Sequence, residues 1–320
     1  MSAYTLHVGD CMAILPTLPK GSVQCCVTSP PYFGLRDYGQ DGQLGLESTP
    51  DEYVAKLVAV FREVRRVLRD DGTVWLNLGD SYAGYHGNRN AEVPTSATNG
   101  WTNGTNENAR TSTANRGGLK PKDLIGIPWR VAFALQADGW YLRQDIIWSK
   151  PNPMPESVRD RPTKAHEYLF LLSKSARYYY DAEAVKEGST GQQGAAADFR
   201  RATKDHVIPH QSVAQHRIDR NSTIYNGKRN RRSVWTVSTQ PYGGAHFATF
   251  PPKLIEPCIL AGSAVGDTVL DPFGGSGTTA GVAIEHGRKA ILCELSEEYA
   301  KFVPDRINSI TDALTQGRMF

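Results

Sequence analysis

Cysteine is sparse in this chain and does not pair. The five residues Cys11, Cys25, Cys26, Cys258 and Cys293 are odd in number and none stand in C-x-x-C spacing. They indicate neither a disulfide framework nor a zinc site, and no metal is expected. A reducing cytoplasm is the natural home. No apolar run approaches bilayer length, and no basic stretch followed by an apolar run opens the sequence, so neither a membrane span nor a signal peptide is expected. Neither sign of charge is in large excess, and the formal net is +3. Whole-chain charge therefore says little about partners. Internal repeats are also missing.

What is present is a globular composition, 40% hydrophobic and 22% charged over 320 residues. That is enough to bury one large core and a small appended module. The charge is unevenly distributed. Residues 186–245 hold ten Lys and Arg against four Asp and Glu, while the rest is slightly acidic. A basic segment on a near-neutral body fits a phosphate-contacting face, and from charge alone fits a solvated loop as well.

Periodicity predicts alternating strands and helices. Val23–Thr28 is an apolar run ending at Pro30-Pro31, a buried strand entering a rigid loop. Thr49-Pro50-Asp51-Glu52 opens a helix as N-cap, first-turn proline and capping-box glutamate. Apolar spacing continues it to Leu68, Gly72 stops it, and residues 73–78 form the next strand. Helical pattern resumes over residues 122–137, with Pro128 as a kink or restart. A strand is predicted at 141–148, and two antiparallel edge strands at 166–173 and 177–181. Toward the end come a helix at 252–260, a strand at 267–273, a helix at 278–286, a strand at 289–295 and a helix at 296–310. Such alternation argues for an α/β fold with a mostly parallel sheet and helices on both faces. Residues 85–118, crowded with Asn, Gly, Thr and Ser, read as a long mobile loop. Residues 187–245 show no sustained period.

Two strings carry chemistry. Residues 269–278 read strand, glycine turn, helix: Asp271-Pro272-Phe273-Gly274-Gly275-Ser276-Gly277-Thr278. Glycine turns are common to nucleotide-binding folds. The missing Lys after Gly277 excludes the usual phosphate loop of ATPases. Asp271, at a strand end, is badly placed for a pyrophosphate and well placed for an ammonium. Glu294, at the next strand end, suits two ribose hydroxyls. The second string is Thr28-Ser29-Pro30-Pro31-Tyr32. It offers a hydroxyl, a proline-fixed carbonyl and an aromatic face, a pocket suited to an exocyclic amine on a nucleobase.

With the base-pocket string first and the cofactor turn last, the chain resembles the beta group of DNA amino-methyltransferases. The likeness covers residues 4–82, 119–181 and 233–303, including Trp75-Leu76-Asn77-Leu78-Gly79-Asp80-Ser81-Tyr82 and His166-Glu167-Tyr168-Leu169-Phe170. It implies a Rossmann-like methyltransferase fold in permuted motif order, using S-adenosylmethionine on double-stranded DNA. By the resemblance, residues 1–185 and 246–320 form one catalytic domain around an inserted target-recognition region at 186–245. Ser29, Pro30, Pro31 and Tyr32 are the catalytic candidates. Asp10, Cys11, Phe250, Asp271, Phe273, Gly275, Ser276, Gly277, Thr278 and Glu294 are the cofactor candidates, Asp10 toward the adenine amine and the segment 246–251 toward the methionine end.

For DNA, Arg200, Arg201, Lys204, Arg217, Arg220, Lys228, Arg229, Arg231 and Arg232 are candidates for phosphate or guanine contacts, and Gln211, Asn221 and Asn226 for adenine contacts. Ser29 stands where many adenine enzymes of the group carry Asp, which leans toward cytosine N4. Adenine N6, an RNA or protein amine, and an inactive DNA-binding protein on the same fold are the alternatives. Pro257-Cys258 imitates the nucleophile dipeptide of carbon-5 methylating enzymes, but its apolar helical context makes Cys258 a core residue. Members of the group are often dimers, so a nucleoid-associated homodimer is a further expectation.

Overall fold

A computed structural model describes residues 3–35, 39–40, 42–83, 118–188, 227–240 and 249–317. The predicted loop at 85–118 lies outside these residues except for Gly118. So do Arg200, Arg201, Lys204, Gln211, Arg217, Arg220, Asn221, Asn226 and residues 246–248.

Tyr4–Val8 (β1) is a strand that the apolar pattern did not single out. A short helix, Cys11–Ile14 (α1), follows it, capped by Asp10. Val23–Thr28 (β2) is buried at all six positions, as a strand covered on both faces must be. Cys26 packs into the cluster formed with Leu57, Phe61 and Leu135, whereas a Cβ on Gly262 would sit 2.6 Å from Cys25 Sγ. The two-residue period of β2 thus sends adjacent cysteines into opposite layers.

Pro50–Val67 (α2) begins as predicted. Thr49 Oγ1 accepts from Glu52 N at 3.1 Å, and Glu52 returns the contact to Ser48 N at 3.0 Å. Tyr53, Leu57, Val60, Phe61 and Val64 form its buried stripe. Burying each such side chain fully contributes about 1.5–3 kcal/mol. The helix ends earlier than Gly72. The backbone turns extended at Leu68, and Leu68–Leu78 (β3) is a single strand that contains Gly72.

Ile127–Ala137 (α3) places Pro128 in its first turn, where a missing N–H costs nothing. Asp80 caps it, accepting from Gly126 N and Ile127 N at 3.0 and 3.1 Å. Tyr141–Ser149 (β4) and His166–Ser173 (β5) pair antiparallel. The predicted pair 166–173 and 177–181 does not form. β5 instead lies between β3 and β4 inside the sheet, and residues 177–181 are not a strand. Long-range partners outweigh the nearby turn signal.

Glu187–Gly188 (β6) and Lys228–Arg229 (β7) pair with each other, and Val234–Thr236 (β8) runs parallel to β4. Pro252–Gly262 (α4), Thr268–Asp271 (β9), Thr278–Glu285 (α5) and Lys289–Glu294 (β10) follow in the expected order. The last predicted helix is two: Glu297–Ala300 (α6) and Val303–Gly317 (α7), the second with Pro304 in its first turn.

The strand order β1-β10-β9-β2-β3-β5-β4-β8 makes one eight-stranded, mostly parallel sheet. The parallel strands β1, β10, β9, β2 and β3 deliver their carboxyl ends to one edge. This is the Rossmann-like α/β fold, with the N-terminal and C-terminal halves joined where β2 meets β9. Two compact units are distinguished, Met1–Asp181 with Ser233–Phe320, and Ala182–Arg232. The first holds the sheet, including β8 from the segment that showed no period. Among the described residues no helix is long and apolar enough to cross a membrane.

Candidate active site

A cavity of about 440 Å³ opens at the carboxyl ends of β9, β10 and β2. Its cofactor-turn side starts at Asp271, the buried last residue of β9. Oδ1 accepts from Thr28 Oγ1 at 2.6 Å and from Phe273 N at 3.0 Å, and Oδ2 accepts from Thr279 Oγ1 at 2.7 Å. Burial pushes its carboxyl up from the usual 3.8 to about 6, against the pull of those three bonds. Glu294, ending β10, accepts from Gly275 N at 2.7 Å and Ser296 N at 2.9 Å. Its carboxyl is also raised, by burial first.

Gly277 enters α5 at φ +91°, and a Cβ there would lie 2.9 Å from Val303 Cγ1. The turn therefore requires glycine on both conformational and steric grounds. Ser276 Oγ is buried with no hydrogen-bond partner among the described residues. Asp10 accepts from Met12 N at 2.8 Å, and Gly9 N donates to the Glu294 carbonyl at 2.8 Å, which ties β1 to the same rim. Cys11 and Cys293 also line the cavity. Burial pushes both thiols up to about 12, so they stay protonated.

The other side of the cavity is Ser29-Pro30-Pro31-Tyr32, which leaves β2 directly after Thr28. The Pro31 carbonyl is engaged by Tyr53 Oη at 2.7 Å. Ser29 Oγ lies 3.4 Å from Tyr32 Oη, which reaches Glu167 Oε2 at 2.7 Å and Asn77 Oδ1 at 3.3 Å. Burial first, then the Glu167 charge, holds the Tyr32 phenol well above its usual range, so it keeps its proton. The Tyr32 ring lies against Gly79, where a Cβ would come within 2.5 Å of Cε2.

The structure thus brings Asp10, Cys11, Ser29, Pro30, Pro31, Tyr32, Phe250, Asp271, Phe273, Gly275, Ser276, Thr278 and Glu294 around one cavity. Gly277, the remaining cofactor candidate, is not among the residues that line it; it caps the helix that follows the turn. Sequence reasoning gave no separate role to Thr28, which joins the two halves, to Asn77 and Glu167, which contact the Tyr32 hydroxyl, or to Lys150, which pairs with Glu167. Asn77 had a visible signal, a single amide inside the apolar run Val74-Trp75-Leu76-Asn77-Leu78. Glu167 lay in the family-like string His166-Glu167-Tyr168-Leu169-Phe170 with nothing to join it to Tyr32, and Lys150 had no signal.

The DNA-contact candidates in the described residues belong to the smaller unit. Lys228 and Arg229 form β7, and Arg229 Nε and Arg232 Nε both donate to Glu187 Oε1, at 2.8 and 2.7 Å. Arg231 is also in this unit. Among the described residues no cluster of His, Cys, Asp and Glu could hold a metal ion.

Three carboxylates, an unsatisfied serine hydroxyl and a glycine turn in one cavity fit a cationic ligand with a ribose and an amino-acid end. Cavities of 300–1,000 Å³ are the usual size for such molecules. A family model described as DNA methylase, the N6 and N4 methyltransferases, matches residues 23–304. The Type II methyltransferase M.Cfr9I of Citrobacter freundii is 49% identical over 96% of this chain and 88% of its own length.

Among solved structures, PvuII DNA methyltransferase, described as cytosine-N4-specific, shares the fold with a TM-score of 0.62 and 21% identity, over 97% of this chain and 92% of its own. A DNA modification methylase of Thermus thermophilus, described as putative and solved with S-adenosyl-L-methionine, aligns with a TM-score of 0.57 and 23% identity, over 96% and 95%. The class is that of S-adenosylmethionine-dependent methyltransferases acting on DNA. The chain belongs to the DNA methylase family of amino-methyltransferases.

Proposed function

We propose that this enzyme methylates the N4 amine of a cytosine flipped out of a specific duplex site. The observation that carries the choice of base is Ser29, a neutral hydroxyl at the head of the base-pocket string, in the cavity shared with Asp271 and Glu294. In the resembled group a neutral acceptor here suits cytosine. The name of the Citrobacter relative, a Type II methyltransferase, supports a restriction-modification setting.

The amine is a weak nucleophile because its lone pair is delocalised into the ring. Ser29 Oγ and the Pro30 carbonyl would accept hydrogen bonds from its two N–H groups, returning electron density to nitrogen and aiming the lone pair across the cavity. Tyr32 provides the stacking face, worth about 1–3 kcal/mol by analogy with other base–aromatic stacks. That offsets part of the few kcal/mol spent on unpairing the base. When bound, S-adenosylmethionine supplies a methyl group already activated on a sulfonium.

Asp271 would lie under the methionine ammonium and Glu294 under the ribose hydroxyls. Asp10 would accept from the adenine amine, with Cys11, Phe250, Phe273, Gly275, Ser276 and Thr278 shaping the walls and Gly277 holding the turn. No covalent intermediate is needed. Cys258, buried in α4 with its thiol 3.6 Å from the Leu254 carbonyl, is core.

Residues 186–245 would supply target recognition through Arg200, Arg201, Lys228, Arg229, Arg231 and Arg232. A homodimer is the proposed assembly, by the group resemblance, and sedimentation reads it directly. The test of the reaction is incubation of the enzyme with labelled cofactor and duplex DNA, then nucleoside analysis. Label in N4-methylcytosine is expected. Label in N6-methyladenine would overturn the assigned base, and label in neither would overturn transfer to a base amine.

A further inference from the structure

Tyr32 is bound to groups that the chemistry above does not use. Glu167, at the start of β5, receives the Tyr32 hydroxyl on Oε2 at 2.7 Å and Lys150 Nζ on Oε1 at 2.5 Å. Both partners of that ion pair are mostly buried, with side chains 15% and 18% exposed, and Lys150 Nζ also lies 4.3 Å from the Trp148 ring centre. Asn77 Nδ2 donates to Glu167 Oε2 at 3.2 Å and to the Tyr168 carbonyl at 3.1 Å. Buried ion pairs are poor sources of stability, because desolvation cancels their attraction. The placement of this one points elsewhere.

The directions of the hydrogen bonds follow from which groups own protons. The Glu167 carboxylate, beside the Lys150 ammonium, accepts and does not donate. The 2.7 Å contact is therefore Tyr32 O–H donating to Glu167. Asn77 has committed both amide hydrogens, so it cannot donate to Tyr32. Its Oδ1, neutral and at 3.3 Å, is a weaker rival for the Tyr32 proton than a charged oxygen at 2.7 Å. With its one proton given to Glu167, Tyr32 Oη meets Ser29 with lone pairs only. The Ser29 proton turns toward Tyr32, at 3.4 Å. Ser29 Oγ is left with lone pairs for the cavity.

We infer that Glu167, Asn77 and Lys150 are positioning residues that set the polarity of the Ser29–Tyr32 pair, so that Ser29 meets the target amine as an acceptor. A free serine hydroxyl donates as readily as it accepts. A carboxylate at position 29 would need no such arrangement, and a serine does. The inference rests on the proposed function, since it presumes that an amine is what Ser29 receives.

Glu167→Gln tests it, because the side chain keeps its shape but can turn an amide N–H toward Tyr32 and reverse the order. Single-turnover methyl transfer to duplex DNA is expected to fall about tenfold or more, while cofactor affinity stays within about threefold. In a Ser29→Ala background, where no hydroxyl remains to orient, the same change is expected to cost less than about twofold of the residual rate. A wild-type rate for Glu167→Gln would overturn the inference. So would an equal loss in both backgrounds, which is the mark of a merely structural role. If Glu167→Gln lacks a cooperative unfolding transition, Tyr32→Phe makes the same comparison, since it removes the linking hydroxyl and keeps the ring. A wild-type rate there would likewise overturn it. A wild-type enzyme that transfers no methyl to a base amine would instead bring down the parent reading.

Discussion

Thr28 and Asp271 stand 243 positions apart and share a 2.6 Å hydrogen bond in the buried seam between β2 and β9. One residue later on the β2 side comes Ser29, and four residues later on the β9 side comes Gly275. The bond thus joins the two strings whose order first marked this chain, at the point where their strands become neighbours. Thr28→Val keeps the branched shape of the side chain and removes the donor. It leaves Asp271 with one fewer partner in a fully buried place. The expected loss is about 1–3 kcal/mol of unfolding free energy, read by denaturant titration. A loss below about 0.5 kcal/mol would mean the seam does not depend on this bond.

The Asp271 carboxyl also predicts a pH dependence. Its native pKa of about 6 stands above the usual 3.8 because it is buried. Between those two values the native chain holds a proton that the unfolded chain has released. Stability conferred by this group is therefore present at low pH and declines as pH rises through about 6, by roughly 3 kcal/mol in all. A cation bound beside the carboxylate favours its ionised form. S-adenosylmethionine binding is expected to tighten between about pH 5 and pH 7, with proton release near pH 6. Glu294, also raised by burial, works in the same direction. Calorimetric titration in two buffers of different ionisation enthalpy measures the proton. Proton uptake, or affinity flat across that range, would contradict the assignment.

Ser29→Ala separates chemistry from cofactor binding. Ser29 contacts Tyr32 and makes none of the bonds that hold Asp271 or Glu294. Losing the acceptor is expected to slow transfer by about 100-fold or more, with the cofactor dissociation constant changed by less than about threefold. Equal loss of both would place Ser29 at the cofactor instead.

Gly79 predicts a steric effect of the opposite kind, with no polar group involved. The Tyr32 ring lies flush against its backbone, and an added methyl would meet Cε2 at 2.5 Å. Gly79→Ala must push the ring off Gly79 and its hydroxyl away from Glu167. Transfer is expected to fall about tenfold or more with cofactor affinity retained. An unchanged rate would show that the ring has room to yield.

These residues also mark what the sequence could and could not say. The glycine turn, Asp271 and Glu294 were legible because each lies at the end of a short apolar strand, where local pattern and chemistry coincide. The start of α2 was legible for the same reason, since Thr49, Pro50 and Glu52 all act within one turn. Its end was not. Gly72 reads as a helix stop, but a Cβ there would meet the Gln24 carbonyl of β2 at 3.0 Å, so its role is set by a neighbour in the sheet. β5 was found as a strand and misplaced at an edge, because pairing with both β3 and β4 is a long-range choice. Glu167 and Lys150 become meaningful only through Tyr32, which sits 135 positions from Glu167. Proximity of that kind leaves no trace in local pattern.

The smaller unit offers a last test, of charge. Arg229 and Arg232 both donate to a single carboxylate oxygen of Glu187, so two cations meet one anion and the trio carries a net single positive charge. If these arginines serve the proposed DNA contacts, Glu187 competes with phosphate for them. Glu187→Gln removes the competing charge and leaves a neutral carbonyl that still accepts. Non-specific duplex binding is expected to tighten, and the slope of log affinity against log salt to steepen by up to about 0.9, the share of one further phosphate. Arg232→Ala is expected to make the slope shallower by a similar amount without changing which sequence is methylated. An unaltered slope in both variants would remove this pair from the DNA-contacting surface. A change of methylated sequence in Arg232→Ala would make that arginine a reader of bases.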